Sequence, residues 1–531
     1  MNYGYYAKIN AQKFPNKECL IERSYVTNTR RSLTWKEFND AINQCANFLK
    51  NELGIKKGDF VMHLQMNTLE WIVTYFGIIK LGAIVVPLNF RFVEADIEYA
   101  ANVCKAKVFM LGPEFVERVN NVKDKMPFIE KYIYVGEGET PEGMISYFDT
   151  IAKYEDKSEA LVDVPDDHEI AMMFTSGTTG KPKPVIHTHG SLNATAIGNG
   201  MSYFVEREDN YLFFLPLYHS GTFFLWAPFY ATGATGTLLK EFKEPEWILR
   251  ALSDEKCTDV LFVVPIAIAI LNGINSGKIK MEDYDLSNWK YMEIGAQPVP
   301  FKVMQELCEK LPCGVSNIYG ITEGGGGGTF NLYPHEVLKK PGSIGKPTFG
   351  VEGKLVDFDG SDITEPHKVG EIVFRTPRLM KEYYKNPEMT ANTIKDGWLF
   401  TGDLAEMDEE GYFYIVDRKK DMITCGGENI YPVEIEDVLH KHPKIDDAAV
   451  IGYPDERLVE IPLAVVQLKE GETMTEEEVI EYCKQHLALY KVPRKVVFDD
   501  VPRNPTGKIM KPLLREKYTG RKEAFIDIKK A

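Results

Sequence analysis

Apolar residues recur at helical spacing along 35–53, WKEFNDAINQCANFLKNEL, directly after Thr34. Glu37 stands three residues beyond Thr34, so the pair predicts a capping box at the start of that helix. GDFVMHLQMN (58–67) reads as a strand, LEWIVTYFGIIKLGA (69–83) as a helix and IVVPLN (84–89) as a strand. The same alternation returns with strands at 211–217, 234–239 and 259–264 and helices at 222–231 and 247–254. Strand–helix–strand order predicts a mostly parallel sheet covered by helices. No short tandem repeat interrupts it. After about residue 370 the pattern shifts to short strands with Gly/Asp turns, as in GEIVFRT and GWLFTGDLAEMDEEGYFYIVDRK. Beyond the charged stretch 417–421, a helix, two strands and a helix follow (433–442, 448–455, 462–469, 476–487). That reads as a compact α+β unit of ordinary domain size. The fold class expected is α/β: a large N-terminal body (1–417) with a β-rich subdomain, a hinge at 418–421, and a small mobile α+β C-terminal domain (422–531).

Composition agrees with a soluble globular chain. Of 531 residues 44% are hydrophobic and 26% charged, enough for a large core. The net charge of −16 argues against nucleic-acid binding by bulk attraction, so an anionic ligand must be held by local donors. The eight cysteines form no C-x-x-C pair, which points to reduced thiols rather than zinc or disulfides. The N-terminus carries no apolar signal core, and no apolar run reaches the ~18–20 residues of a membrane helix. Cytoplasm is the expected location.

Against that background one loop stands out. The apolar run 171–174 leads into TSGTTGKPKPVIHTHGS, where Thr175, Ser176, Gly177, Thr178, Thr179, Gly180, Lys181 and Lys183 crowd together. Glycines let backbone approach phosphates, hydroxyls donate, and lysines supply charge. It is not a Walker A loop: only two residues separate Gly177 from Gly180, and no Ser or Thr follows Lys181. By itself the loop means only phosphate.

Here the chain resembles the adenylate-forming superfamily of acyl-CoA synthetases, aryl-CoA ligases, luciferase and adenylation domains, whose loop reads close to Y-T-S-G-T-T-G-x-P-K-G-V. Phe174 replaces the Tyr and Pro184 the final Gly. Further motifs of that superfamily follow in order over essentially the whole chain. FLPLYHSG (214–221) resembles the segment whose His lines the acyl pocket, here His219. EIGAQPVP (293–300) resembles the loop that packs on adenine, which implies contacts from Gly295, Ala296 and Gln297. In NIYGITEGG (317–325) the resemblance implies AMP contacts from Asn317, Tyr319 (stacked on adenine), Gly320 and Thr322, with Mg²⁺ on Glu323. A hard cation does want carboxylate and phosphate oxygens. GWLFTGDLA (397–405) resembles the ribose-gripping turn, with Asp403 accepting from both hydroxyls. In 414–436, Ile415 and Arg418 fall on nucleotide contacts, Lys420 on the hinge, and Gly426 and Gly427 on the turn beside the pantetheine tunnel. VPRNPTGKIMKPLLRE (501–516) resembles the C-terminal signature that bears the catalytic lysine, Lys508.

The resemblance implies ATP-dependent conversion of a carboxylic acid to acyl-AMP, then transfer to coenzyme A, with Mg²⁺ as cofactor. His219, Gly295, Gly324 and Gly325 would border the acyl group. The glycines from Gly324 to Gly328 suggest a widened pocket for a medium-chain, alicyclic or aromatic acid, or else serve only backbone geometry. Phe223, Phe224 and Trp226 are either pocket walls or plain core. Cys425 is not expected as a nucleophile, since this chemistry uses no enzyme thiol. Two alternatives stay open: a stand-alone enzyme that loads a carrier-protein thiol (no fused Gly-Gly-x-Ser carrier segment is expected) and a non-catalytic nucleotide-binding relative. A homodimer is one assembly open to the chain.

Overall fold

The computed structural model describes residues 1–175, 182–425, 428–455, 457–503 and 509–520. Two sheets, not one, build the large body. In the first, Glu18–Ser24, Thr235–Leu239, Asn210–Phe213, Asp259–Val263, Tyr291–Gly295 and Gly314–Tyr319 run parallel side by side. The second has a parallel centre of Glu169–Thr175, Ile84–Pro87, Phe60–Leu64, Val108–Leu111 and Lys131–Tyr134. Between the sheets lie the helices Trp35–Asn51, Leu69–Lys80 and His189–Tyr203, whose apolar faces share one core with both sheets. Two further cores cover the outer faces. Helices Glu246–Asp254, Val264–Asn275 and Phe301–Lys310 cap the first sheet, and Glu94–Cys104 caps the second. A central strand therefore meets apolar neighbours on both sides: Val61 points to one core and Met62 to another. This is why such strands read as unbroken apolar runs.

The predicted capping box forms in full. The Glu37 N–H donates to Thr34 Oγ1 at 3.2 Å, and the Thr34 N–H donates to Glu37 Oε2 at 2.8 Å. Other expectations need correction. The strand begun near 211 ends at Phe213, and the helix expected over 222–231 is two pieces, Ser220–Phe223 and Ala227–Thr232. Pro228 opens the second piece, where its missing N–H is no loss. The β-rich section starts before 370, with Phe330–Leu332, Ser343–Pro347 and Glu352–Val356, and extends the first sheet in antiparallel fashion. Asp417 and Arg418 belong to the strand Phe413–Arg418 rather than to a free linker.

A third, smaller sheet follows: Glu428–Ile430, Ile423–Cys425, Val459–Leu468 and Ile445–Asp455, with Lys495–Phe498 parallel to Val459–Leu468. Helices Pro432–Leu439 and Glu476–His486 pack on one face and Lys511–Thr519 on the other. Among the described residues, no helix is long and apolar enough to cross a membrane.

Candidate active site

The parallel strands Tyr291–Gly295 and Gly314–Tyr319 end side by side, with Gly295 opposite Ile318. Ligands of α/β sheets gather at such carboxyl ends. A Cβ on Gly295 would sit 2.4 Å from the Ile318 carbonyl oxygen, so only glycine lets the strands close here. Ala296 then turns with φ of 69° and is exposed, and Gln297 is half-buried beside it.

On one flank, the Tyr319 hydroxyl donates to Asp403 Oδ2 at 2.6 Å. Arg418 Nε lies 3.1 Å from the other oxygen, Asp403 Oδ1. The Asp403–Arg418 pair is set by sheet register, because strands Trp398–Met407 and Phe413–Arg418 place the two residues opposite each other. Asp403 raises the Arg418 guanidinium above its ordinary value. Burial and then Asp403 push the Tyr319 hydroxyl well up, so it stays protonated and donating. Asn317 is committed to structure, donating to the Ser343 carbonyl at 2.7 Å. Ile415 packs on the core of the antiparallel section.

On the other flank, Glu169–Thr175 and Lys183–Thr188 form a hairpin with Thr175 opposite Lys183. The Phe174 and Pro184 substitutions also face each other in that hairpin. The Lys183 ammonium lies 5.4 Å from the centre of the Tyr383 ring. The Tyr383 hydroxyl donates to Glu323 Oε1 at 2.7 Å. Burial and then the Glu323 charge raise that hydroxyl's pKa. Thr322 Oγ1 shares a hydrogen bond with Ser220 Oγ at 2.8 Å, and His187 Nε2 donates to the Thr322 carbonyl at 2.9 Å. Burial lowers His187 to about 4, so it is neutral at physiological pH. His219 is exposed at the start of the short helix, its Nδ1 accepting from the Gly221 N–H at 3.4 Å. No group of three or more His, Cys, Asp or Glu that could hold a metal occurs among the described residues. A lone half-buried carboxylate at Glu323 fits Mg²⁺ whose remaining ligands come from phosphates and water, not a protein cage.

The widened pocket expected of the glycine run is not found. A Cβ would meet the Phe374 ring at Gly324, Arg378 at Gly325, the Ser220 carbonyl at Gly326 and the Tyr203 hydroxyl at Gly328, all within 2.9 Å. Only Gly327 has ordinary contacts. The missing side chains are thus filled by neighbours, and the run serves close packing and backbone turns. Phe223, Phe224 and Trp226 are plain core.

Tyr383, Ser220, His187 and Arg378 escaped sequence reasoning. Ser220 follows His219 directly and could have been found there. Tyr383 and Arg378 lie on a separate segment that no motif marks. Arg378 is fully buried, and its guanidinium donates to Asn199 Oδ1, the Gly328 carbonyl and the Phe349 carbonyl at 2.8, 3.1 and 2.6 Å. Burial lowers its pKa to about 10.

Lys420 is exposed in the turn between strand Phe413–Arg418 of the first sheet and strand Ile423–Cys425 of the third. Around that turn Lys511 Nζ sits 2.8 Å from Glu436 Oε1, and Arg515 pairs with Asp421. Burial raises Asp417 to about 6, opposed by Lys511. Ser176, Gly177, Thr178, Thr179, Gly180, Lys181, Gly426, Gly427 and Lys508 lie outside the described residues.

The chain is similar to known proteins over nearly its whole length. The family model described as AMP-binding enzyme matches residues 7–384, and that described as AMP-binding enzyme C-terminal domain matches 434–508. The chain is 33% identical over 524 residues to a long-chain-fatty-acid–CoA ligase of Mycobacterium tuberculosis, covering 98% of this chain and 99% of that one. It is 31% identical over 510 residues to a 2-succinylbenzoate–CoA ligase of Geobacillus kaustophilus, covering 95% and 97%. Among solved structures, an anthranilate CoA ligase in complex with anthranoyl-AMP matches with a TM-score of 0.84 at 26% identity, covering 98% of this chain and 97% of that one.

Proposed function

The chain belongs to the AMP-binding enzyme family and is an acyl-CoA synthetase; from that premise we propose how its residues divide the work and what kind of acid it takes. The observation that carries the reading is the pair of polar clusters flanking one strand end: Tyr319–Asp403–Arg418, joined by a hydrogen bond and an ion pair, and Lys183–Tyr383–Glu323, where the ammonium lies over the ring whose hydroxyl donates to the carboxylate. The first offers a carboxylate held in place by a tyrosine and an arginine, a group suited to accept from ribose hydroxyls. The second offers a cation and a carboxylate for a polyphosphate and its counter-ion.

A carboxylate is a poor acyl donor because its oxygen is a bad leaving group. Its attack on the α-phosphorus of ATP forms the acyl–O–P bond and breaks the bond to pyrophosphate. Two anions must meet, so charge neutralisation and positioning carry the catalysis. Lys508 bridges the acid and the α-phosphate, and Thr322 contacts that phosphate. The 175–183 loop holds the departing pyrophosphate. Gly295, Ala296, Gln297 and Tyr319 frame adenine, while Asp403 and Arg418 bind the ribose. Glu323 would hold Mg²⁺, which would supply positive charge against the phosphates when bound. In the second step the thiol of coenzyme A attacks the acyl carbon and AMP leaves. A free thiol with pKa of about 8.5 supplies some thiolate at neutral pH. Residues 1–417 bind acid and nucleotide, and 422–531 swing about 418–421 to exchange Lys508 for Gly426 and Gly427. The acid is larger than acetate: medium-chain, alicyclic or aromatic. The relatives support this, being named for a long-chain fatty acid, 2-succinylbenzoate and anthranilate.

The test is a pyrophosphate-release screen over short, medium, branched, alicyclic and aromatic acids, with and without coenzyme A. Acid-dependent release with coenzyme A consumed supports the reading. Release without coenzyme A consumption indicates carrier loading, and no release with any acid overturns it. Lys508→Ala is expected to lose acyl-AMP formation by roughly 10²–10³ while still converting supplied acyl-AMP to thioester. Adenylation at the wild-type rate would remove Lys508 from its role.

A further inference from the structure

Behind the strand ends the sheet face turns polar where a core should be apolar. Glu293 lies two residues before Gly295 and so shares its face of the sheet. Register carries that face sideways: Gly295 pairs with Ile318, and Ile318 with Asn331. In the other direction Glu293 pairs with Leu261, and Tyr211 sits one strand further along on the same face. Leu261, Ile318 and Tyr211 belong to the core shared with helix His189–Tyr203, which brings in Tyr203. The Tyr203 hydroxyl sits 2.6 Å from where a Cβ on Gly328 would lie, two residues before the strand that bears Asn331.

Four of these side chains are unsatisfied. Glu293, Asn331, Tyr211 and Tyr203 are 4%, 1%, 2% and 9% exposed. Glu293 Oε2, both side-chain polar atoms of Asn331, and the Tyr203 and Tyr211 hydroxyls find no hydrogen-bond partner among the described residues. Each such group is costly when left unpaired in a core, because its hydration is lost with nothing in return. Native chains keep them only where something else completes them. Burial holds the Glu293 carboxyl well above its ordinary range, and Glu293 in turn helps raise both tyrosine hydroxyls. The group therefore offers hydrogen-bond donors and acceptors, with burial first and then the neighbouring Asp259 carboxyl favouring the protonated form of Glu293.

We infer that Glu293, Tyr203, Tyr211 and Asn331 form the polar floor of the acyl pocket and select an acid that carries a neutral oxygen function, hydroxyl or carbonyl, at its distal end. This rests on the acyl-CoA synthetase reading, and on the acid entering past Gly295. It adds that the far end of the acid is hydrogen-bonded, not merely buried. A pocket built to hydrogen-bond a substrate rejects the analogue that lacks the group far more strongly than an apolar pocket rejects an extra methylene.

The test compares pairs of acids with one carbon skeleton, with and without a distal hydroxyl or keto group, by initial rates of pyrophosphate release. The wild-type enzyme is expected to favour the oxygenated partner in kcat/KM by roughly 10² or more for at least one skeleton. Tyr203→Phe, Tyr211→Phe and Glu293→Gln should each shrink that ratio by about 5–100-fold. The loss should fall mainly on KM for the oxygenated acid, with the unsubstituted acid unchanged or improved. The two Tyr→Phe variants keep shape, so folding is preserved where Glu293→Gln disturbs it. Equal use of both partners across all skeletons, or ratios unmoved by all three variants, overturns the inference: bound water then completes these groups. Preference for an amine-bearing acid overturns it too. Failure of every acid to release pyrophosphate defeats the parent reading instead, so the two failures are distinguishable.

Discussion

Tyr383 holds Glu323 through one charge-assisted hydrogen bond of 2.7 Å, and no motif announced it. Tyr383→Phe keeps the ring under Lys183 but frees the carboxylate. Such a bond is worth about 1.5–3 kcal/mol, so kcat for adenylation should fall roughly 10–100-fold with the fold intact, as read by pyrophosphate release against thermal unfolding. Glu293 gives a pH prediction. Its folded pKa is raised, so between its unfolded value and its folded one the native state holds a proton that the unfolded chain has lost. Its contribution is thus fully present below the unfolded pKa, near 4.5, and is lost as pH rises through the folded value. Glu293→Gln removes that loss. The stability of the variant relative to wild type should increase from pH 5 to pH 8, which denaturant titrations at the two pH values can read. Tyr319, Asp403 and Thr322 were legible as residues, because short motifs mark them. Arg418 was marked as well, but its pairing with Asp403, and that of Ser220 and His187 with Thr322, come from register and packing, which a linear reading cannot supply.

Helix Trp35–Asn51 was legible as an element because its pattern, cap and length agreed. Thr34→Ala should cost about 1 kcal/mol of stability by urea unfolding, since it deprives the Glu37 N–H of its acceptor. Helix His189–Tyr203 was not legible: its Gly-, Ser- and Asn-rich sequence has weak propensity and no clear stripe. Packing forms it, and Gly198 shows how. In an exposed helix Gly→Ala gains up to about 1 kcal/mol. Here the new Cβ would lie 1.9 Å from Arg378 Nη2, a buried cation held by three acceptors. Gly198→Ala should therefore destabilise by about 1–3 kcal/mol, and a lowered melting temperature would check it. The glycine run after Glu323 is the same lesson: read as missing volume, it is close contact.

At the scale of the molecule, the small C-terminal unit is tied to the body by buried charge. Asp417 accepts from the Val433 N–H at 3.0 Å, and Lys511 faces Glu436 within reach of Asp417 and Asp421. Against the burial that lowers it, those three carboxylates hold the Lys511 ammonium above its ordinary value. Lys511→Met strands the acidic groups and should cost about 3–5 kcal/mol. Limited proteolysis should then cut near 418–422 first, and intact resistance there would refute the coupling.

The sequence alone determined the alternation of strands and helices over much of the body, the capped helix after Thr34, and an α+β unit at the C-terminal end. Each of these is written in adjacent residues, where side-chain type and period act directly on the backbone. The tertiary structure alone decided that the body holds two sheets with helices between them. It also decided that the glycine run is packed shut, and that Glu293, Asn331 and Tyr211 share the sheet face that packs on the helix of Tyr203. Those outcomes depend on which strands pair and which faces meet across long stretches of chain, and hydrogen-bond register between distant segments leaves no periodic trace in either of them.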